Sequence, residues 1–207
     1  MKSKLKQRIG AVATGVALLG VIVSPVIASA ASQSASTTIN ADVASVISIS
    51  TGTTVNIALT PTPGGVVSSA SDIVSVSTNN TPGYTLNIAD SDATTTLTSG
   101  SNTFTAASGT KVAPIALTNG TWGFAVATAT TGIGTNGFDA SYSAETNAGS
   151  STSKWAGIPA SGSPMLLKST TGTATSDTTT VWYAARASTS QANGTYTDTV
   201  TYTATTK

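Results

Sequence analysis

Apolar residues alternate with threonine or serine along much of this chain, and a two-residue period is typical of β-strands that are buried on one face. The clearest example is residues 196–204, where Tyr, Val, Tyr and Ala alternate with Thr. Only Asp198 interrupts the apolar side, and we expect it near the rim of the sheet, hydrogen-bonded to a loop amide. A second strand-like segment spans 181–187, and Asn193-Gly194 between the two is a turn signal. The pattern therefore predicts a C-terminal hairpin.

The same alternation recurs further upstream, where turn signals such as Asn79-Asn80-Thr81-Pro82-Gly83 separate the apolar runs. No helical periodicity competes with it after the first 30 residues. Roughly eight to ten strands, with turn signals about every 10–15 residues, predict an all-β fold: a single Ig-like antiparallel β-sandwich. The further predicted strands are 39–50, 55–59, 72–77, 84–89, 122–126 and a shorter one around 166–167.

The first 30 residues have the features of a cleavable signal-peptide helix. Four basic residues precede an apolar run from 9 to 27, and Ala28-Ser29-Ala30 is a small-x-small cleavage signature. The apolar run is nearly long enough for an uncleaved membrane anchor, but Pro25 and the cleavage signature favour processing after Ala30. We therefore expect a secreted protein, extracellular or associated with the cell surface, with no membrane span after cleavage.

The rest of the chain is long enough to bury one core. We predict a flexible lead-in at 31–38 and one β-sandwich domain over 39–207. Residues 130–160 contain several glycines and few large apolar residues, so we expect a long loop excursion there. Long loops on a rigid scaffold often carry function.

Composition excludes several classes of function. Charged residues make up only 8% of the chain, and it has neither His nor Cys. Disulfides, His- or Cys-dependent catalysis and thiolate metal sites are therefore excluded. The chain after residue 30 has five basic and eight acidic residues, a net charge of about −3. A negative net charge does not attract nucleic acid. We predict no catalytic residue, no cofactor and no metal ligand, and hence no enzyme.

Two short motifs resemble chemical sites but fit simpler explanations. Asp90-Ser91-Asp92 is a close carboxylate pair that lacks the glycine and glutamate of a calcium loop. We interpret it as a turn that ends a strand. Ser151-Thr152-Ser153-Lys154 has the spacing of a nucleophile and its base, but it lies in Gly- and Ser-rich sequence without a helical pattern. We interpret that match as chance.

A chain without cysteine can instead be linked by an amide between a Lys side chain and an Asp or Asn side chain. Such a link needs the two groups and a catalytic acid buried together. Away from the ends only Lys111, Lys154 and Lys168 are available, and Glu145 is the only glutamate. We interpret these lysines as exposed loop residues.

The aromatic residues divide into a core set and one surface candidate. Trp155 follows the Gly-rich stretch directly after Lys154, and we name these two residues as possible ligand contacts, with the indole stacking on a sugar ring. The expected core aromatics lie in alternating segments: Tyr84, Trp122, Trp182, Tyr196 and Tyr202.

Five stretches carry a resemblance to known proteins: 80–86, 121–124, 155–159, 180–183 and 194–202. Together they resemble a family of exported, Thr-rich β-sandwich surface proteins of small-genome bacteria. The closing Gly-x-Tyr-x-Asp-x-Val-x-Tyr strand is similar to the last strand of spore-coat-U-like and fimbrial subunits. The Trp-bearing strands are similar to WxL cell-wall domains, although Trp-Gly-Phe and Trp-Tyr-Ala stand where that family has Trp-x-Leu. The resemblance implies a surface or envelope role, and the WxL likeness implies noncovalent peptidoglycan binding.

We therefore expect a noncatalytic cell-surface or envelope protein with a structural or adhesive role, whose partners are itself or other envelope proteins. Self-association by strand addition is the expected mode, with residues 35–50 as the donor strand. The alternative is a module that binds cell-wall glycan or host carbohydrate through Trp155 and the 130–160 loop.

Overall fold

The computed structural model describes residues 31–126 and 154–207, which form an all-β structure in two sheets. The all-β prediction is confirmed. In this part of the chain no helix is long and apolar enough to cross a membrane. The signal-peptide prediction and most of the predicted 130–160 excursion lie outside the described residues. The strands are β1 (Ile47–Ser50), β2 (Val66–Thr78), β3 (Tyr84–Asp90), β4 (Leu97–Ser99), β5 (Asn102–Ala106), β6 (Thr121–Val126), β7 (Met165–Ser169), β8 (Ala174–Ala187) and β9 (Val200–Thr206).

The larger sheet has six strands in the order β1-β2-β8-β6-β5-β4, and the smaller has three in the order β7-β3-β9. All neighbours are antiparallel except β5 and β6, which are parallel. The two longest strands, β2 and β8, pair along most of their length at the centre of the larger sheet. Theirs is the longest paired stretch in the larger sheet.

The core lies between the inner faces of the two sheets. On β3, Tyr84, Leu86 and Ile88 are completely buried, and on β2 the same holds for Val74 and Val76. The residues between them are Thr, Asn and Ser, which are less buried. Alternation in the sequence therefore corresponds to alternation between the core and the outer face, as a pleated strand requires.

The predicted C-terminal hairpin is wrong. The segment 181–187 belongs to β8 in the larger sheet, whereas β9 pairs with β3 in the smaller one. Both edges of β8 are already occupied by β2 and β6, so β9 has no free edge of β8 to join. Residues 188–199, including Asn193-Gly194, cross from one sheet to the other.

Two predicted strands are shorter or less regular than expected. Of residues 39–50 only β1 forms a ladder, because its partner β2 ends at Thr78. Before β1, the Asn79 side chain replaces backbone pairing: it accepts a hydrogen bond from the Val46 amide (2.8 Å) and donates one to the Ala44 carbonyl (2.9 Å). Residues 55–59 alternate in burial but belong to no strand.

Candidate functional site

An open cleft of about 790 Å³ lies between the inner face of the larger sheet and the strand β9. Aromatic side chains contribute much of its wall. Phe104 and Trp122 are almost fully buried beneath it, and Tyr196 packs edge-to-face on Phe104 with ring centroids 4.7 Å apart. The cleft is therefore a largely apolar slot at the side of the sandwich.

Residues 53–61, which we call the covering segment, run along this cleft. The chain is held at one end by Asp72, which accepts hydrogen bonds from the Thr51 hydroxyl and from the Gly52 amide (2.9 Å). At the other end Thr62 forms a β-bridge with Ser188. Between these anchors no backbone group of the covering segment joins a β-ladder within the described residues.

The side chains of the covering segment alternate as a strand would. Val55, Ile57 and Leu59 are half-buried and pack against the core, whereas the residues between them are exposed. The segment thus uses apolar contacts without backbone pairing. This is weaker than a true strand, in which a ladder adds about 0.5–1.5 kcal/mol for each hydrogen bond.

The strand β9 forms one edge of the smaller sheet. Its inner side pairs with β3 along seven residues, and in the described chain no strand pairs with its outer side. The residues from Val200 to Thr206 carry no charge and no proline. Charges and prolines are the usual devices that keep an edge strand from pairing with another chain. The outer edge of β9 thus lacks both of these devices.

Two tyrosine hydroxyls meet at the cleft. The hydroxyls of Tyr183 on β8 and Tyr202 on β9 are hydrogen-bonded to each other. Burial raises the pKa of both phenols well above its usual value, so both are neutral at any ordinary pH. The pair joins the two sheets at the cleft.

Residues 36–46 precede β1 and expose apolar side chains to solvent. Ile39 is 88% exposed and Val43 is 85% exposed. Ile39, Ala41 and Val43 are spaced two residues apart, so they would lie on the same face of an extended chain. Two exposed large apolar side chains would then lie next to each other on that face.

The prediction of Trp155 as a ligand contact is wrong, because its side chain is completely buried. Its backbone pairs with Ile115, through hydrogen bonds of 2.7 and 3.0 Å, and Ala156 pairs in the same way with Phe124 on β6. Glycines allow this close approach: a Cβ at Gly109 would lie 2.3 Å from the Trp155 carbonyl oxygen. Lys154 is exposed, but without the indole it offers no platform for a sugar.

The residues expected as core aromatics all contact the core, though to different degrees. Tyr84 is completely buried and Trp122 nearly so, with its indole nitrogen donating to the Thr95 carbonyl at 3.1 Å. The other three, Trp182, Tyr196 and Tyr202, are half-buried and pack against the core.

The acidic residues near the start of β9 form a second polar feature. Asp90, at the end of β3, is 1% exposed and lies close enough to Asp198 for a hydrogen bond between the two carboxyl groups when Asp198 is protonated. Among the described residues, no other group donates to Asp90 Oδ2 or Asp198 Oδ2. Burial and the neighbouring carboxylates Asp90 and Asp92 raise the pKa of Asp198 to about 6, against the effect of the Thr199 amide that donates to it. The amide that binds Asp198 belongs to the next residue, Thr199, and Asp198 precedes β9 instead of lying within the predicted strand 196–204.

The Asp90-Ser91-Asp92 motif adopts the turn we expected. The Asp90 carboxylate accepts from the Asp92 amide (3.1 Å), and the Asp92 carboxylate accepts from the Thr94 amide (2.5 Å). Across residues 31–126 and 154–207, no group of three or more acidic side chains is arranged to hold a metal ion.

The interpretation of Lys168 as an exposed loop residue is wrong. It lies on β7 with its side chain only 1% exposed, and its ammonium nitrogen is 2.6 Å from a carboxylate oxygen of Asp177 on β8. The other carboxylate oxygen of Asp177 accepts from the Tyr84 hydroxyl at 2.7 Å. No sequence signal marked this cluster, because its three members are far apart in the chain or on different strands.

No family model matches this chain, and neither a curated protein nor a solved structure matches it.

Proposed function

We propose that this protein is a noncatalytic, secreted component of the cell surface or envelope, with a structural or adhesive role, which associates with copies of itself by strand addition. The observation that carries the proposal is the open, uncharged edge of β9 beside an apolar cleft that is covered only by an unpaired segment. In this proposal the sandwich is Ig-like and residues 1–30 are the signal peptide that directs export.

The donor is residues 35–43 of a second copy. As an extended strand along β9, this segment would direct Ile39, Ala41 and Val43 to one face, towards the cleft, and its polar residues to solvent. Residues 44–46 are tied to the Asn79 side chain in the same copy, which leaves the residues before them to reach a neighbour. The segment is long enough to span the edge, since β9 has seven residues.

The energy of this association can be bounded. Burying an exposed Ile or Val side chain contributes about 1.5–3 kcal/mol, so Ile39 and Val43 together supply about 3–6 kcal/mol. Each new ladder hydrogen bond adds about 0.5–1.5 kcal/mol. The loss of translational and rotational freedom costs about 4–15 kcal/mol. We therefore expect reversible assembly that depends on protein concentration.

The test is the mass in solution of the chain from residue 31, measured by light scattering over a wide concentration range. We expect multimers that dissociate on dilution. A variant that lacks residues 31–43 keeps β1 intact and should be monomeric, as should the double variant Ile39→Asp and Val43→Asp. Ile73→Asp is the matched control, because Ile73 is also an exposed apolar residue, 57% exposed, but lies on β2.

A peptide experiment identifies the acceptor edge. A synthetic peptide of residues 35–43, added to the variant lacking residues 31–43, should slow hydrogen exchange of backbone amides in β9. The same peptide carrying Ile39→Asp and Val43→Asp should not. A monomer at every concentration, together with no protection of β9 by the peptide, would contradict the proposal.

Export is tested separately. N-terminal sequencing of the protein recovered from culture medium or from the envelope fraction should begin at Ala31. Recovery of the chain in the cytoplasm with its first 30 residues intact would contradict the proposed location.

A further inference from the structure

Lys168, Asp177 and Tyr84 form a cluster between the two sheets. Lys168 and Tyr84 lie on the smaller sheet and Asp177 on the larger one. The Lys168 nitrogen is 2.6 Å from Asp177 Oδ1, and the Tyr84 hydroxyl is 2.7 Å from Asp177 Oδ2. The Asp177 side chain is 29% exposed, whereas that of Lys168 is 1% exposed. The Lys168 amine is thus enclosed in the core, and the Asp177 carboxyl group is partly exposed to solvent.

The backbone directs these groups at one another. Leu86 on β3 and Lys168 on β7 are register partners, and the completely buried side chain of Leu86 faces the core, so Lys168 shares its inward face. On β8, an irregularity in the ladder with β2 falls beside Asp177, where Ser176 has a φ of 49°. Such bulges redirect side chains, and here the Asp177 carboxylate reaches across to the smaller sheet.

We propose that Lys168 and Asp177 condense to an intramolecular amide that links the two sheets covalently. Enclosing the Lys168 ammonium group in the core is costly, because that charge loses its hydration. Holding the two groups in contact replaces a bimolecular encounter by a local one, with an effective concentration that reaches about 10⁵ M or more in well-oriented cases. The product amide is neutral and retains a hydrogen-bonding oxygen for Tyr84.

Lys168 and Asp177 supply the reacting groups, and the Tyr84 hydroxyl takes the place of the catalytic acid. A proton passes from the Lys168 ammonium to Asp177 Oδ1, which leaves a neutral amine and a carboxylic acid. The amine lone pair attacks Asp177 Cγ and forms the C–N bond, while negative charge builds on Oδ2. The Tyr84 hydroxyl, which donates to Oδ2, stabilises that charge.

Collapse of the tetrahedral intermediate breaks the bond between Cγ and Oδ1. A second proton from the nitrogen leaves with that oxygen, so one water molecule departs and the amide keeps the third hydrogen. No oxidant, cofactor or external reactant is needed. Because burial and the Asp177 carboxylate raise the pKa of Tyr84 well above its usual value, the phenol remains a hydrogen-bond donor throughout.

The decisive measurement is the intact mass of the purified, fully folded chain. We expect a mass below that of the sequence by one water molecule, and a branched peptide joining residues 168 and 177 after digestion. Lys168→Met should restore the full mass. Lys111→Met is the control, because Lys111 is a lysine that is only partly buried and donates to a backbone carbonyl, and it should leave the deficit unchanged.

Two variants test the chemistry as opposed to the packing. Asp177→Asn should react with loss of ammonia instead of water, which changes the mass by a different amount. Tyr84→Phe should keep the fold but slow amide formation during refolding by about 100-fold, the effect of removing one donor to a developing oxyanion. A wild-type chain that is fully folded by circular dichroism but has the complete sequence mass would overturn the proposal. This proposal does not depend on the proposed assembly, which is tested by mass in solution.

Discussion

Replacing Trp155 with alanine probes the core at its largest completely buried side chain. A buried tryptophan removes about 150–250 Å² from water, which at about 25 cal/mol per Å² corresponds to about 4–6 kcal/mol. Measured losses for such truncations are about 3–5 kcal/mol, because part of the cavity collapses. We therefore expect Trp155→Ala to lower the free energy of unfolding by about 3–5 kcal/mol, a large part of the 5–15 kcal/mol of an ordinary domain.

The indole nitrogen allows the loss of apolar burial to be separated from the loss of a polar group. Trp155 Nε1 is buried and has no hydrogen-bond acceptor among the described residues, and burying an unpaired donor costs about 1–3 kcal/mol. Trp155→Phe removes that donor and keeps most of the apolar ring. We therefore expect Trp155→Phe to lose less than about 2 kcal/mol, well below the loss for alanine.

The assay is urea denaturation followed by circular dichroism, with the slope of the transition compared among variants. Lys154→Ala, at the exposed neighbouring position, serves as control and should change stability by less than about 0.5 kcal/mol. If Trp155→Ala changed stability by less than about 1 kcal/mol at an unchanged slope, the indole would not be part of the core and the reasoning would fail.

Three further predictions concern the acidic pair, a glycine contact and the open edge. The pKa of Asp198 is raised to about 6, which means that the folded state favours the protonated carboxyl group. Protonation of Asp198 therefore stabilises the fold fully below about pH 4, and this stabilisation disappears as the pH rises through 6. Asp198→Asn should remove this decline in a pH series of urea midpoints. Gly157→Ala would place a Cβ 2.1 Å from a backbone oxygen and should cost about 1–3 kcal/mol, whereas Gly162→Ala, with open space around it, should be neutral in the same assay. Thr203→Lys, on the exposed face of β9, should reduce self-association in light scattering, and Thr178→Lys, at an exposed position of β8, should not.

The alternation of apolar and polar residues predicted most strands well, because a pleated strand that is buried on one face requires apolar residues at every second position. β3 and β6 begin and end close to their predicted limits. The strands β4 and β5 were missed, since Leu97 and Phe104 are single apolar residues within polar segments. Their strand structure comes from pairing with each other and with β6, which no local pattern shows.

The features of the candidate site could be predicted only in part. The donor role of residues 35–50 stays a prediction, and the sequence could not name an acceptor edge, because that depends on which strand is left unpaired in the folded protein. Trp155 was misjudged for a related reason. Its Gly-rich surroundings suggested a loop, and the glycines that admit it to the core, Gly109 and Gly123, lie more than thirty residues away.

The amino-acid sequence by itself determined that this chain forms β-strands, that threonine covers their outer faces, and that neither thiol nor imidazole chemistry is available to it. Those properties depend on residue type and two-residue spacing alone. Only the tertiary structure decided that β9 joins β3 and not β8, that an edge and a cleft remain open, and that Lys168 meets Asp177. Strand pairing is decided by which edges are free once the two longest strands have paired, and contacts between sheets join residues that the sequence separates.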